Sequence, residues 1–433
     1  MRFPTRVVTT LGLLLAGASG AVAQQSLLSQ SDLDKLGYFK FWSMQLEMGR
    51  ARAVTGAYVL DDSLYITTDS GDVHALDANA GLLRWAQNAA ENVYEIFPPT
   101  HFLAPDGRGL VVITTSPRTL IIDRYAGDIV ADMPLEMATS CSAVAADDRI
   151  YFGSSDGHFY AMRWTDPRTN RAVQLWRVIA GGPVTSDPVL VNNNDDIIFA
   201  SQGGSVYDCT AVGKILNWQA RTGGPIIGNI AVDGPGVFAA SADRSLYRYN
   251  LISGALEWRS RFPEPLNEGP TVSGGVAFQY CRGEGLTALD AQSGDVLWKR
   301  IEGRRFVCRG VDYAMILDNT NTLLRVDINT GEVKGHARLP KTAVPVTNVH
   351  DNTIYLAANS GSVFCAKPSG TPYLTPAQLS EARRVLRAQQ GEAGGDRDTQ
   401  PPPRRPEEPA LVDPNDPLRS ASDKGTGSGD SPR

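Results

Sequence analysis

The sequence has few of the residues from which metal and redox sites are usually built. Its 433 residues include only five histidines and five cysteines, and no two cysteines are adjacent or spaced as C-x-x-C. That pattern excludes the common zinc and haem motifs. Lysine and arginine are scattered, and the formal net charge is −6. The chain therefore lacks the basic footprint of a protein that binds nucleic acid.

Long apolar runs are also missing. The longest apolar stretch, around Leu11 to Ala16, is too short to cross a bilayer as a helix. It follows Arg2 and Arg6 and precedes small residues, which is the layout of a cleavable secretory signal. We therefore interpret residues 1–23 as a signal peptide and expect an exported protein, periplasmic or secreted. No cysteine stands at the cleavage site, so a lipid anchor is not expected.

What the sequence does contain is a repeated turn motif. In LYITTDSGDVHALDANAGLLRW (64–85), a turn that holds Asp77 and Gly81 precedes a strand with Trp85. A short acidic or amide side chain can bond to backbone amides further along a turn, and glycine tolerates positive φ. The same spacing recurs wholly or in part. The further members of this structural repeat are Asp123, Gly127, Trp176, Trp218, Asn250, Gly254, Trp258, Asp290, Gly294, Trp298, Asp327 and Gly331.

Two copies of the motif are irregular. DCTAVGKILNW, which ends at Trp218, reads as carrying one extra residue. The copy that ends at Trp176 has a charged insertion, TDPRTNRAVQ, where the turn is expected. We expect the repeat tryptophans to pack between neighbouring sheets, with each indole N–H bonded to a carbonyl oxygen.

Counting hairpins predicts the architecture. Eight pairs of strands follow one another at a period of about 40 residues, and a period of that length made of strands alone is typical of a propeller. The predicted fold is all-β, an eight-bladed β-propeller of four-stranded antiparallel blades. A seven-bladed ring with one degenerate copy omitted is the alternative. The paired strands lie near residues 64–77, 109–123, 149–163, 195–209, 235–250, 275–290, 312–327 and 352–366.

The eighth copy has no outer strand of its own, because KPSGTPYLTP follows Cys365. An open blade would leave an unpaired edge, which native proteins avoid. An orphan strand near the start, YFKFWSMQLEM (38–48), carries Trp42 where the other tryptophans lie. We therefore predict that this N-terminal strand completes the last blade and closes the ring.

The pattern A-x-D-x-x-x-G-x-x-x-W, with Ala75, Asp77, Gly81 and Trp85 as one copy, resembles the repeat of the pyrroloquinoline-quinone-like (PQQ-like) propeller family. Within that family the chain is similar to the BamB branch. This resemblance implies a non-catalytic, monomeric scaffold without a cofactor, which binds protein partners and acts in outer-membrane protein assembly with the β-barrel assembly machinery.

The same family leaves two other functions open. One is a quinoprotein dehydrogenase, which would need PQQ and calcium. Such enzymes typically carry a pair of adjacent cysteines over the cofactor, and this sequence has none. The other is an exported sensor that binds a ligand or a carbohydrate.

The segments outside the repeats complete the domain prediction. Residues 24–37 are expected to lead into the propeller, in part as a short helix, and residues 38–373 to form the propeller itself. TPAQLSEARRVLRAQQG predicts a C-terminal helix over 374–391 that stops at Gly391 and lies against the ring or binds a partner. Residues 392–433 are rich in proline, glycine and charge and are expected to be a disordered tail.

Two sets of side chains are candidates for a site or a crosslink. Arg282, Arg304, Arg305 and Arg309 cluster in sequence, and they could form a rim for an acidic partner or a solvated edge of the ring. Cys281 and Cys308 lie in neighbouring repeats and could form a disulfide, unless they are buried as small apolar side chains.

Overall fold

A computed structural model describes residues 27–91, 93–164 and 172–394. These residues form eight sheets, each of four antiparallel strands. Seven sheets use four consecutive strands, in the order inner to outer along the chain. The architecture confirms the prediction of an eight-bladed all-β propeller and excludes the seven-bladed alternative.

The chain enters the ring through helix α1 (Gln30–Leu36) and strand β1 (Tyr38–Gln45). The first four complete blades then follow in order. Their strands are β2 (Val54–Leu60), β3 (Ser63–Thr68), β4 (Asp72–Asp77) and β5 (Leu83–Asn88); β6 (Thr100–Leu103), β7 (Gly109–Thr115), β8 (Arg118–Asp123) and β9 (Ile129–Pro134); β10 (Val144–Ala146), β11 (Arg149–Gly153), β12 (His158–Arg163) and β13 (Val173–Ile179); β14 (Val189–Val191), β15 (Asp196–Ser201), β16 (Ser205–Thr210) and β17 (Leu216–Arg221). A 3-10 turn, Asn192–Asn194, joins β14 to β15.

Three more blades continue the ring. The last three strands of the chain belong to the eighth blade, and the C-terminal helix α2 (Pro376–Gly394) follows them. Their strands are β18 (Ala231–Asp233), β19 (Gly236–Ser241), β20 (Ser245–Asn250) and β21 (Leu256–Arg261); β22 (Thr271–Ser273), β23 (Val276–Cys281), β24 (Gly285–Asp290) and β25 (Val296–Arg300); β26 (Gly303–Arg309), β27 (Tyr313–Asp318), β28 (Thr322–Asp327) and β29 (Val333–Arg338); β30 (Ala343–Pro345), β31 (Ile354–Ala358) and β32 (Ser362–Pro368).

The N-terminal strand closes the ring, as predicted. Blade 8 has the order β1-β32-β31-β30, and Trp42 of β1 lies opposite Cys365 of β32. The first strand of the chain thus covers the hydrogen-bonding edge that the last strand would leave open.

The repeated turn has a local cause. The Asp77 carboxylate accepts hydrogen bonds from the amides of Asn79 (3.0 Å) and Ala80 (2.7 Å). Gly81 then adopts φ +66°, and a Cβ atom on Gly81 would lie 2.5 Å from the Trp42 ring. Glycine is therefore needed both for the backbone conformation and for contact with the preceding blade. The matching side chains that accept two turn amides are Asp123, Asn250, Asp290 and Asp327.

Five tryptophans fill the seams between blades in one way. Each indole packs on the turn glycine of the next blade and donates its N–H to a carbonyl of that turn. At the seam between blades 6 and 7, for example, Trp298 donates to the Ile328 oxygen at 2.8 Å and packs on Gly331. The other donor and acceptor pairs are Trp42 to Ala78, Trp85 to Arg124, Trp218 to Leu251, and Trp258 to Ala291.

Trp176 lies in the seam between blades 3 and 4 but does not make this bond. The carbonyl oxygen of Ala211, at the matching place in the next turn, accepts from the Tyr151 hydroxyl at 3.0 Å. The Trp176 indole nitrogen is buried without a hydrogen-bond partner among the described residues. The expectation that every repeat tryptophan bonds to a carbonyl is therefore wrong at this one position.

Two seams lack a repeat tryptophan and are filled by other side chains. Ala131 takes the tryptophan place in blade 2, and there Trp164 of blade 3 packs edge-on against Phe102. Gly335 takes it in blade 7, where a Cβ atom would lie 2.2 Å from the Lys35 oxygen of helix α1.

Helix α1 supplies the apolar filling of this last seam. Its Leu33 and Leu36 are fully buried, and they belong to one core cluster with Leu356 and Phe364 of blade 8. The helix begins with the Ser29 side chain accepting from the Asp32 amide, and it ends at Gly37 in the left-handed region.

The turn of blade 4 corrects one reading of the sequence. Thr210 stands at the aspartate position, its amide bonds to the Ile215 oxygen at 2.8 Å, and Lys214 takes the left-handed position with φ +59°. The spacing of Thr210, Lys214 and Trp218 is therefore regular, and there is no extra residue. Gly213 resembles the turn glycine of the other copies in sequence, but its φ is not positive, and so it does not occupy that position.

The C-terminal helix starts as expected and ends later. The amide of Gln378 donates to the Thr375 hydroxyl, and the Thr375 amide donates to the Gln378 side chain, which is a capping box. The helix runs through Gly391 to Gly394, so Gly391 does not stop it. Gln390 donates to the Arg84 oxygen at 2.6 Å, which ties this part of the helix to blade 1.

The predicted signal peptide, residues 1–23, lies outside the described residues, and the tail 392–433 does so from residue 395 onward. Within the described ranges, neither helix combines the length and the apolar character that crossing a membrane would need.

Candidate binding site in the axial cavity

A candidate site lies where the inner strands and adjoining loops of blades 4 to 8 converge. It is a cavity of about 720 Å³ that opens to solvent. Its apolar wall includes Val189, Val232, Val272 and Phe278, and its polar wall includes Asn229, Glu268, Arg304, Arg305 and Thr347. Ligand cavities typically have volumes of about 300–1,000 Å³ and combine apolar walls with a few polar groups.

Hydrogen bonds between blades join parts of the cavity wall. The Asn348 amide donates to the Val307 oxygen at 2.7 Å, so the last two blades are joined along the axis. The Ser273 hydroxyl donates to the Val349 oxygen at 2.9 Å. Strand and loop segments of blades 6, 7 and 8 are thus bonded to one another at the cavity.

Arg304 is a paired arginine at the cavity. Its two terminal nitrogens donate to the Glu268 carboxylate at 2.6 and 2.8 Å. Its guanidinium also lies 4.0 Å from the ring centroid of Tyr280. The hydrogen bond to Glu268 raises the pKa of Arg304 above its ordinary value. The positive charge of Arg304 is therefore cancelled by the negative charge of Glu268, and the pair adds no net charge to the cavity.

Arg305 differs from its neighbour. It donates to the Pro345 backbone oxygen, and no carboxylate of the described residues lies within ion-pair distance of it. Burial lowers the pKa of Arg305, and the charge of Arg304 lowers it further. Arg305 also lines a second cavity of about 320 Å³, most of whose lining comes from blades 8 and 1. Its positive charge thus lies between two cavities without an acidic partner.

The other arginines of the sequence cluster lie elsewhere. Arg309, at the far end of β26, donates to the Ser273 and Gly274 oxygens at 3.1 and 2.6 Å. Arg282 is exposed in the hairpin between β23 and β24, and it does not line the cavity. The structure therefore brings only Arg304 and Arg305 of the four to one site.

The two cysteines considered for a disulfide are both free. Cys281 packs with Phe262 and Leu266 in one core cluster. Cys308 belongs to a different cluster, in which its sulfur lies 3.9 Å from the Tyr38 hydroxyl. Burial raises the pKa of both thiols. They behave as small apolar side chains, the alternative reading of the sequence.

A half-buried acid near the axis makes structural contacts. The Asp187 carboxylate accepts from the Ser142 amide at 2.7 Å and from the Asn229 side chain at 2.6 Å, and so links three consecutive blades. Burial raises the pKa of Asp187 above the ordinary value. Across residues 27–91, 93–164 and 172–394, no three His, Cys, Asp or Glu side chains are placed to hold a metal ion.

A second charged cluster was missed by the sequence analysis. The buried Arg84 donates to Asp62 at 3.0 Å and to Asp77 at 2.8 Å, and Arg124 also pairs with Asp62. Burial opposes the ionisation of Asp62, but the two arginines outweigh it and lower its pKa to about 2. One signal could have revealed this cluster, an arginine directly before the repeat tryptophan of blade 1.

His101 extends this cluster. Its two ring nitrogens lie 2.9 Å from the Asp61 carboxylate and 2.8 Å from the Tyr65 hydroxyl. Burial lowers the pKa of His101 despite the bond to Asp61. Tyr65 is fully buried. A hydroxyl without solvent access cannot meet a substrate, and the cluster joins blades 1 and 2.

Comparisons with known proteins agree with this architecture. The family model described as outer membrane protein assembly factor BamB matches residues 38–221 and 202–399. A curated outer membrane protein assembly factor BamB from Yersinia pestis is 21% identical over 314 residues, which is 66% of this chain and 68% of that protein.

Solved structures show the same fold. BamB from Moraxella catarrhalis matches with a TM-score of 0.61 at 16% identity, over 78% of this chain and 99% of that one. The designed protein Ika8 matches with a TM-score of 0.58 at 12% identity over 74% and 98% of the two chains, and Sqt1 from Saccharomyces cerevisiae with 0.58 at 11% over 76% and 99%. Because the family model spans the whole ring, the chain belongs to the BamB family of PQQ-like β-propellers.

Proposed function

We propose that this protein is an exported, non-catalytic scaffold that holds partner proteins during the assembly of outer-membrane proteins. The observation that carries this proposal is the match of the BamB family model to the whole ring. We transfer the role at the outer membrane and the export from the relatives to this chain. The partner would be the β-barrel assembly machinery.

The contacts of two charged groups support a non-catalytic role. The Asp187 carboxylate joins blades 3 to 5, and Arg84, on the outer strand β5, joins strands within blade 1. Such groups stabilise the ring because a buried charge is favourable only when it is paired and hydrogen-bonded. Rigid inner strands and exposed loops would then present a fixed surface to a partner.

The two ends of the ring offer a direct test. Asn267 lies in the loop before β22, and Val311 lies in the turn after β26, so these exposed residues mark opposite ends of the inner strands. Each residue would be replaced in turn by a photo-crosslinking amino acid. The full chain would then be expressed in the bacterium that encodes it, so that its natural envelope proteins are present. We expect one position, and not the other, to crosslink to proteins of the β-barrel assembly machinery.

Crosslinks to those proteins from one end would identify the binding face. Crosslinks from neither position, combined with normal outer-membrane protein levels in a strain that lacks this protein, would contradict the proposed role. The unmodified chain under the same illumination is the control for non-specific capture.

A further inference from the structure

The axial cavity contains one positive charge that the protein does not neutralise. Three charged side chains line the larger cavity, and two of them, Arg304 and Glu268, form an ion pair. The third is Arg305, which is also the only charged side chain among those that line the smaller cavity. The described lining of the two cavities therefore carries a net charge of +1.

This arrangement has an energetic cost that a ligand could remove. Arginine remains protonated in proteins, so Arg305 keeps its charge although it is half-buried. One N–H of its guanidinium donates to the Pro345 oxygen, and its Nε is buried without a partner among the described residues. A charge in such surroundings is unfavourable unless an opposite charge or further hydrogen bonds compensate it.

The shape of the site indicates which anion would fit. A guanidinium presents a planar fork of N–H donors that matches a carboxylate. The same cavity has an apolar wall that includes Val232, Val272 and Phe278. The paired Glu268 and Arg304 add no net charge, so the lining offers one positive charge and matches one negative charge. These features favour a single carboxylate attached to an apolar body over a phosphate or a dicarboxylate.

We propose that the axial cavity is a binding site for an organic monocarboxylate with an apolar body, and that Arg305 is the residue that binds the carboxylate. This site goes beyond the scaffold function and does not depend on it. The carboxylate could belong to a small aliphatic acid or to the C-terminus of a peptide, because both present the same group.

The test compares acids with their neutral amides on the full exported chain. Isothermal titration calorimetry would measure octanoate against octanamide, and acetyl-Ala-Ala-Leu with a free carboxylate against the same peptide as its amide. We expect at least one acid to bind about tenfold or more tightly than its amide, a difference of about 1.4 kcal/mol. Octanoate alone would identify a small acid as the ligand, and the peptide acid alone would identify a chain terminus.

Two variants locate the effect. Arg305→Met keeps the side-chain volume and removes the charge, and we expect it to remove the preference for the acid over the amide. Arg282→Met, at an exposed arginine outside the cavity, is the matched control and should leave the preference unchanged. Circular dichroism would check that both variants fold.

Equal affinity of acid and amide, binding of neither acid, or an unchanged preference in Arg305→Met would each overturn the proposal. If Arg305→Met does not fold, the comparison of acid with amide in the wild type still decides it. Crosslinking at the two ends of the ring tests the scaffold function separately, so the two proposals can fail independently.

Discussion

The seams between blades divide the molecule into a regular and an irregular part. From blade 4 to blade 7, the three seams use Trp218, Trp258 and Trp298, each packed on a glycine of the next turn. At the seam of blades 2 and 3 the filling comes from Trp164 on the opposite side. At the seam of blades 7 and 8 it comes from helix α1.

The comparison shows that these seams are filled by apolar side chains from different parts of the chain. A gap the size of an indole would lose the contacts of every side chain around it, and protein interiors are packed densely. Where the repeat loses its tryptophan, another part of the chain therefore occupies the space. Gly335 illustrates the converse, since a side chain there would collide with α1.

The largest expected effect comes from emptying a regular seam. Trp298→Ala should lower the free energy of unfolding by about 3–5 kcal/mol, because it removes a buried indole and leaves a cavity. Trp298→Phe keeps most of the apolar contact and loses the hydrogen bond to Ile328, so it should cost clearly less. Urea unfolding would measure both, and equal losses would show that the hydrogen bond is the main contribution.

The irregular seam at blade 8 should be almost as sensitive. Leu36→Ala in helix α1 should cost about 3 kcal/mol, since this side chain is fully buried between blades. Lys35→Ala, on the exposed side of the same helix, is the control and should change stability by less than about 0.5 kcal/mol. A small effect of Leu36→Ala would mean that α1 is not part of the core.

Blade 4 offers a stabilising change. Asp208 stands where blade 1 has Ala75, and burial together with the charge of Asp196 raises its pKa to about 6. Because the folded pKa exceeds the unfolded one of about 4, ionisation of Asp208 lowers stability as pH rises from about 4 to 6. Asp208→Asn should therefore stabilise the protein by about 2 kcal/mol at pH 7.

The same substitution should have little effect below pH 4, where Asp208 is protonated in both states. Thermal unfolding of the wild type and Asp208→Asn at pH 7 and at pH 3.5 measures the difference. A gain that is the same at both pH values would argue against titration as its cause.

The smallest expected effect tests the corrected alignment of blade 4. Lys214→Gly should stabilise the protein by about 1 kcal/mol, because a lysine in the left-handed region is strained and glycine is not. Gly213→Ala should be nearly neutral, since its φ is not positive and a Cβ atom there would make only ordinary contacts at 3.6 Å or more. Destabilisation by Gly213→Ala would restore the alignment with an extra residue.

Local chemistry explains how much of the fold could be predicted. The turn of Asp77 and Gly81 is held by side-chain and backbone groups within five residues of one another, so the repeat was visible in sequence. The closing strand followed from Trp42 and from the missing strand after Cys365. The turn at Thr210 was misread because threonine and lysine there replace the residues that mark the motif.

The candidate site was predicted only in part, because residues that are close in sequence can lie far apart in space when they belong to an extended strand. Arg304 and Arg309 lie on the same strand, but five residues of extended chain separate their Cα atoms by about 16 Å. The cavity needs contributions from the inner strands of five blades, which lie far apart in the sequence. For the same reason, Cys281 and Cys308 belong to neighbouring blades and still pack in different clusters.

The sequence by itself determined the repeat and the closing strand and favoured eight blades over seven, because each depends on hydrogen bonds within a turn or on the pairing of one edge. Only the tertiary structure decided which side chain fills each seam and which arginine is left without an acid. Those outcomes depend on distances between blades, where residues remote in the chain compete for the same space and charge.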